Sequence, residues 1–256
     1  MLNYYSLTLL YKIISMSILK ILIIATNVNT YASGNKETGL WLSELTHLYH
    51  QAKEKGYEVT IASPNGGNVP IDPESLRQFT LDKVSKKYWQ DNSFRGLLND
   101  SKSLAEVKNE KFDLVYLAGG HGTMYDFPND TIMQSIIRNQ YESGKMVAAI
   151  CHGVSGLLNV KLSNGEYLIR NKKITGFNWF EESLANRKKE VPFNLESGLR
   201  KRGSKYEKAF IPMTSHVVAD GNLITGQNPF SSKKIAKVIM KEIEKQNKNQ
   251  LINKNN

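Results

Sequence analysis

Cys151 is followed at once by His152 and Gly153, and it closes a short run of small and aliphatic residues at 145–150. Residues 154–158 read as the first turns of a helix. Strand, sharp turn, helix is the setting that pushes a side chain out at the carboxyl edge of a parallel sheet, a nucleophile elbow. Backbone N–H groups and the positive end of a helix dipole lie close by there. A thiol in that position is expected to be exposed, with a lowered pKa and an enlarged thiolate fraction. The alternative is a structural cysteine, because a free thiol also behaves as a small hydrophobe. The adjacent histidine and glycine favour the reactive thiol.

A thiolate nucleophile needs a base or cationic neighbour, and the base needs an orienting carboxylate. His152 adjoins Cys151, though adjacency in sequence is not itself a hydrogen bond. Glu182, just past an apolar run at 173–177, can reach the same rim. Glu44 falls on the inward stripe of a helix expected at 38–55, beside Trp41, Leu45, Leu48 and Ala52. A carboxylate on a core face is costly without a partner. Glu44 can swing to the boundary and pair with a lysine, or it can approach the sulfur and share a proton with it.

Gly119-Gly120-His121-Gly122 follows a buried strand expected at 112–118. Glycines at such an edge let backbone N–H groups face a ligand. The turn is thus either a second arm of an oxyanion site or an ordinary turn. No Gly-Lys-Ser/Thr follows, which excludes a Walker loop, and the spaced third glycine of a dinucleotide fingerprint is missing. His121 has no second His or Cys at ligand spacing, so neither a metal nor another cofactor is expected.

The elements that must position these groups alternate in type. Runs at 17–25, 57–62, 112–118, 145–150 and 173–177 read as strands. Helices are expected at 38–55, 130–143 and 231–244, the last with Ile235, Val238 and Ile239 inward. Two short β-like runs, 217–219 and 223–225, flank the turn signal Asp220-Gly221-Asn222. This order predicts right-handed βαβ units and a parallel sheet. Residues 72–106 break the rhythm. They read as a polar insertion on the sheet rim, with helical patches at 74–81 and 92–98. Residues 178–186 start a helix or loop carrying Glu181 and Glu182, and 187–203 are basic and irregular.

At 256 residues the chain suits one α/β domain, placed at 16–245 with its insertion about 72–106. Residues 1–15 are apolar but too short and too polar to span a bilayer. They fit a leader or, preferably, an extension from an upstream start codon. Residues 246–256 form a polar tail. The single cysteine permits no internal disulfide and suits a reducing, cytoplasmic setting. The formal charge of +10 comes from scattered lysines and the tail. No basic run is interleaved with aromatics, so neither nucleic acid nor membrane is an expected partner.

Five stretches in order carry a family resemblance: TGLWLSEL at 38–45, AGGHGTMYDFP at 118–128, VAAICHG at 147–153, KITGF at 173–177 with Glu182 after it, and DGNLITGQNP at 220–229. The chain resembles the ThiJ/PfpI superfamily of the class I glutamine-amidotransferase-like fold. Within it, the chain is most similar to the stress-inducible chaperones with glyoxalase III activity. The resemblance implies a flavodoxin-like, doubly wound α/β sandwich with helices on both faces of a mostly parallel sheet, often dimeric. It implies a triad at Cys151, His152 and Glu182, with Glu44 as the acid near the sulfur and oxyanion donors in the backbone of Gly120 and His152. Gly119, His121, Trp41 and Phe177 complete the expected oxyanion and substrate-binding group. The extra carboxylate of Glu181 leaves the register of the third triad member open. The implied activity is glutathione-independent conversion of methylglyoxal, a small dicarbonyl, to lactate through a Cys hemithioacetal, a lyase-type reaction. Alternatives are a holding chaperone acting on unfolded client proteins, a protein deglycase, or a cysteine peptidase or amidase.

Overall fold

The computed structural model describes residues 18–254. The strands are β1 (Lys20–Ile24), β2 (Glu58–Ser63), β3 (Asn65–Gly67), β4 (Ser101–Ser103), β5 (Leu114–Leu117), β6 (Met146–Ile150), β7 (Lys173–Ile174), β8 (Lys205–Tyr206), β9 (Val217–Asp220) and β10 (Leu223–Gly226). Eight of them form one sheet in the order β3-β4-β2-β1-β5-β6-β10-β9. Pairing is parallel except at the two edges, where β3/β4 and β10/β9 run antiparallel.

The main helices are α1 (Leu42–Glu54), α2 (Lys83–Gln90), α3 (Asn92–Asn99), α4 (Thr131–Glu142), α5 (Trp179–Leu184), α6 (Leu195–Lys201) and α7 (Ser232–Lys254). Strand β1 shows why both faces are covered. Ile21 and Ile23 enter one apolar layer with α1, α2, α3 and α7, while Leu22 and Ile24 enter the other with α4 and α6. Side chains alternate along a strand, so a run that is apolar at every position needs helices on both sides. The doubly wound, flavodoxin-like architecture is therefore present. It sets the ends of β5 and β6 side by side at the carboxyl edge, where open α/β sheets build their sites.

Several elements differ from expectation. Helix α1 begins at Leu42 rather than 38, because Leu40 is bridged to Ile71 and Thr38 Oγ1 donates to Asp72. Residues 74–81 hold only a 3₁₀ turn, Pro73–Leu76; the helix starts later, capped by Asp82, whose carboxylate accepts from Ser85 N–H. The insertion is tied to the main sheet, since it ends in β4 beside β2. Strand β7 lies outside the main sheet, paired only with β8, which explains why two residues suffice for it. Residues 187–203 contain α6, capped by Asn194 and buried through Leu195 and Leu199. The closing helix runs on to Lys254, through most of the expected tail, whereas the extension at 1–15 lies outside the described residues.

Asp126 ends a short helical turn, Thr123–Asp126, just after the glycine loop. It accepts hydrogen bonds from Thr26 Oγ1 and Asn27 N–H, while Oδ1 is buried without a partner. Burial outweighs those bonds and raises its pKa to about 6. The folded state therefore holds this proton more tightly than the unfolded chain does. Stability from this group is present in acid and is lost as pH rises from the ordinary carboxylate range through about 6. Asp126→Asn should remove that loss and stabilise the protein above pH 7 by ~2 kcal/mol. Urea unfolding at pH 5 and pH 8 checks it: the gain must appear at the higher pH only.

Candidate active site

Strand β6 ends at Ile150 in extended geometry, and Cys151 then adopts φ +56°. This left-handed conformation is strained for a residue with a Cβ, and such strain persists where surrounding structure enforces it. A 3₁₀ turn, Cys151–Leu157, follows in place of the expected α-helical turns. The turn after β6 is as sharp as the sequence suggests. The thiol, however, is recessed: Cys151 is buried, at the floor of a groove of about 1100 Å³ whose wall includes Trp41, Gly120, His121, His152 and Phe177.

His152 Nδ1 lies 3.3 Å from Cys151 Sγ, and its Nε2 lies 2.8 Å from Glu182 Oε2. The expected Cys–His–Glu order is thus present in space. It is Glu182 rather than Glu181 that pairs with His152. Glu181, one residue earlier on α5, points elsewhere: its Oε1 accepts from Gln227 Nε2, Asn228 Nδ2 and Met213 N–H. The fully buried Glu181 anchors the loop before β9 to α5, which frees Glu182 for the histidines.

Glu44 is fully buried, and its Oε2 accepts from Gly119 N–H at 2.9 Å. Gly119 thereby leaves the expected oxyanion group, because its N–H is already engaged. Its role is spatial, since a Cβ here would meet Glu44 Oε2 at 2.4 Å. Gly120 has φ +117°, and a Cβ would meet Gly39 O at 2.0 Å, so only glycine brings the loop this close to the start of α1. Glu44 Oε1 is buried without a hydrogen-bond partner among the described residues, and the Glu44 carboxyl and the Cys151 thiol are close enough to shift each other's titration. Burial lifts the Glu44 pKa to about 8, against the opposing effects of Cys151 and Gly119.

The same environment corrects the expected thiol titration. Burial and the Glu44 charge push the Cys151 thiol up, and the His152 backbone N–H only partly offsets them. Two anions cannot sit together in this dry site, so ionisation of either group opposes ionisation of the other. With Glu44 neutral, its repulsion of the thiolate disappears and the His152 donor remains.

Glu182 carries two imidazoles. Besides His152, His121 Nε2 lies 2.9 Å from Glu182 Oε1, and the two rings are 4.0 Å apart between centroids. Burial acts to raise the Glu182 pKa, but His152 and His121 outweigh it and hold the carboxyl well below the usual carboxylate range. The spacing of His121 in sequence concealed this. The nearest acid to it in the fold is 61 residues away. His121, His152 and Glu182 offer ligand atoms within 4.8 Å of one another, a set with metal-binding character that residue spacing did not suggest. Here their facing atoms are spent on each other in N–H···O bonds. Phe177 packs on the His152 ring at 4.5 Å between centroids, and Trp41 stands half-buried at the start of α1, its backbone N–H donating to Gly119 O. The mouth of the groove includes the exposed rings of Phe79 and Phe230.

No helix among the described residues is long and apolar enough to cross a membrane. A profile of the DJ-1/PfpI family matches residues 37–242. The chain is 30% identical over 233 residues to Glyoxalase 3 of Candida albicans, a match covering 88% of this chain and 98% of that protein. It is likewise 30% identical to a glutathione-independent glyoxalase of Schizosaccharomyces pombe, covering 87% and 95%. Among solved structures, the Rapid Encystment Protein 24 KDa of Francisella tularensis superposes with a TM-score of 0.84 at 39% identity, covering 88% of this chain and 99% of that one. The crystal structure of glyoxalase III from Candida albicans superposes with a TM-score of 0.78 at 30% identity, covering 87% and 96%.

Proposed function

We propose, starting from the fact that this chain belongs to the DJ-1/PfpI family, that it is a glutathione-independent glyoxalase converting methylglyoxal to lactate. The observation that carries the reading is the recessed Cys151 thiol, flanked by the buried Glu44 carboxyl on one side and an imidazole–carboxylate pair on the other. A small dicarbonyl supplies no thiol of its own, and this site has one.

The chemistry follows from the positions. The Cys151 sulfur attacks the aldehyde carbon, and the proton shared with Glu44 passes to the carbonyl oxygen, giving a hemithioacetal. Glu44, now a carboxylate, removes the hydrogen on that carbon. The freed electron pair forms the double bond of an enediol as the ketone oxygen takes up a proton. Reprotonation of the second carbon by Glu44, as the hydroxyl on the first carbon gives up its proton, leaves a lactoyl thioester. Water then cleaves it, returning the thiol and releasing lactate. The atoms sum to methylglyoxal plus water, so no oxidant or reductant is needed. His152, oriented through Nε2 by Glu182, keeps a lone pair on Nδ1 towards the sulfur. The backbone N–H of His152 faces the sulfur, and Gly120 lines the groove beside it. A reducing, cytoplasmic setting, which preserves the lone thiol, and a homodimer complete the reading.

Purified protein incubated with methylglyoxal alone should form lactate, followed by proton NMR. Lactate formation that depends on added glutathione sinks the proposal.

A further inference from the structure

Hydrolysis of a thioester needs a base for water, and the groups around the sulfur are already committed. Glu44 is bonded to Gly119 and turned to the thiol. His152 Nδ1 faces the sulfur itself. Of the other imidazoles that line the groove, His47 is paired with Asp82 and His50 with Tyr88, whereas His121 shares Glu182 with His152. The His121 Nε2–H donates to Glu182 Oε1, so in the neutral ring the lone pair lies on Nδ1. That Nδ1 has no hydrogen-bond partner among the described residues and is not among the sealed, unpaired atoms. His121 lines the groove together with Cys151.

We propose that His121 is a second catalytic imidazole, the general base that activates water to hydrolyse the lactoyl thioester on Cys151. Glu182 then serves two histidines with one carboxylate. Oε2 sets His152 for the sulfur and Oε1 sets His121 for water. In the step, a water O–H bond breaks towards His121 Nδ1, and its electron pair forms the bond to the thioester carbon. The carbon–sulfur bond breaks with its pair left on sulfur. The proton on His121 restores the thiol, and the carboxylic acid ionises as lactate leaves. Burial, followed by the neighbouring His152, lowers the His121 pKa, which keeps the ring neutral and basic near pH 7. The rings of Tyr31 and Phe177 also pack near it, at 5.5 and 6.1 Å between centroids.

The inference rests on the glyoxalase reading, and its test separates the two. In His121→Gln an amide N–H can still bond Glu182, but no imidazole base remains. Rapid mixing with methylglyoxal should show a first turnover at the wild-type rate, followed by steady turnover slowed by about 100-fold or more. Hydroxylamine should trap the accumulated lactoyl group, which a reversible hemithioacetal would not yield. In His121→Ala, added imidazole should speed the decay. A first turnover slowed as much as the later ones, with nothing trapped, means that His121 only supports His152 and overturns the proposal. Should both variants fail to fold, the wild-type acyl-enzyme decides. Decay that levels off as pH rises supports a neutral base, whereas decay in proportion to hydroxide overturns it. Absence of lactate from the wild type would instead remove the glyoxalase reading itself.

Discussion

Cys151→Ala is expected to abolish methylglyoxal turnover, lowering kcat/KM by about 10⁴-fold or more. In the proposed reaction every step runs on a substrate bonded to this sulfur, and the sequence holds no other cysteine to replace it. The comparison with Cys151→Gly separates chemistry from backbone. Both variants lose the thiol, but Cys151 sits at φ +56°, a conformation that glycine adopts freely and alanine does not. The glycine variant should therefore be the more stable of the two, by roughly 1 kcal/mol, while equally inactive. Residual turnover in either, measured as lactate, removes the covalent route. Equal melting temperatures remove the claim that the elbow is strained.

Glu44→Gln is expected to trade activity for stability. Turnover should fall by about 10²–10⁴-fold, because an amide can neither share the thiol proton nor accept the one on carbon. Stability should move the other way. Burial lifts the Glu44 pKa from its ordinary value to about 8, so the folded protein binds this proton more tightly than the unfolded chain. The contribution is fully present below the unfolded value and is lost as pH rises through about 8. Glutamine stays neutral, still accepts from Gly119 N–H, and avoids the cost of a buried charge. The variant's Tm should exceed that of the wild type by roughly 5 °C or more at pH 9, and the two should converge near pH 4. Calorimetry at both pH values checks the sign. A variant less stable than the wild type at pH 9 would mean that Glu44 is held ionised.

Much of the site was legible because its members sit at strand ends. The aliphatic runs before Gly119 and Cys151 could only be buried parallel strands, and they place those residues side by side. Glu44 was legible as an anomaly, a carboxylate on an otherwise apolar helix stripe. What stayed hidden depended on contacts between distant segments. Nothing local to His121 points to Glu182, and nothing in Glu181-Glu182 says which acid turns inward. That is decided by Gln227, Asn228 and Met213, which claim Glu181. The thiol pKa was misjudged for a related reason. A strand-to-helix turn argues for a lowered value, but full burial beside Glu44 argues more strongly for a raised one. Helices α2 and α6 were missed because each buries only two residues, although Asp82 and Asn194 stand where N-caps belong. Strand β7 was over-read, since an apolar run does not reveal whether it joins the main sheet.

The proposed catalytic groups are drawn from four widely separated points of the chain, at Glu44, His121, the Cys151–His152 pair and Glu182. None is supported by neighbours close in sequence alone: Glu44 relies on Gly119, and both histidines rely on Glu182. A nascent or half-folded chain therefore carries an ordinary, unarmed thiol. Turnover depends on the last long-range contacts, so in refolding experiments its return should track the slowest phase rather than the first collapse.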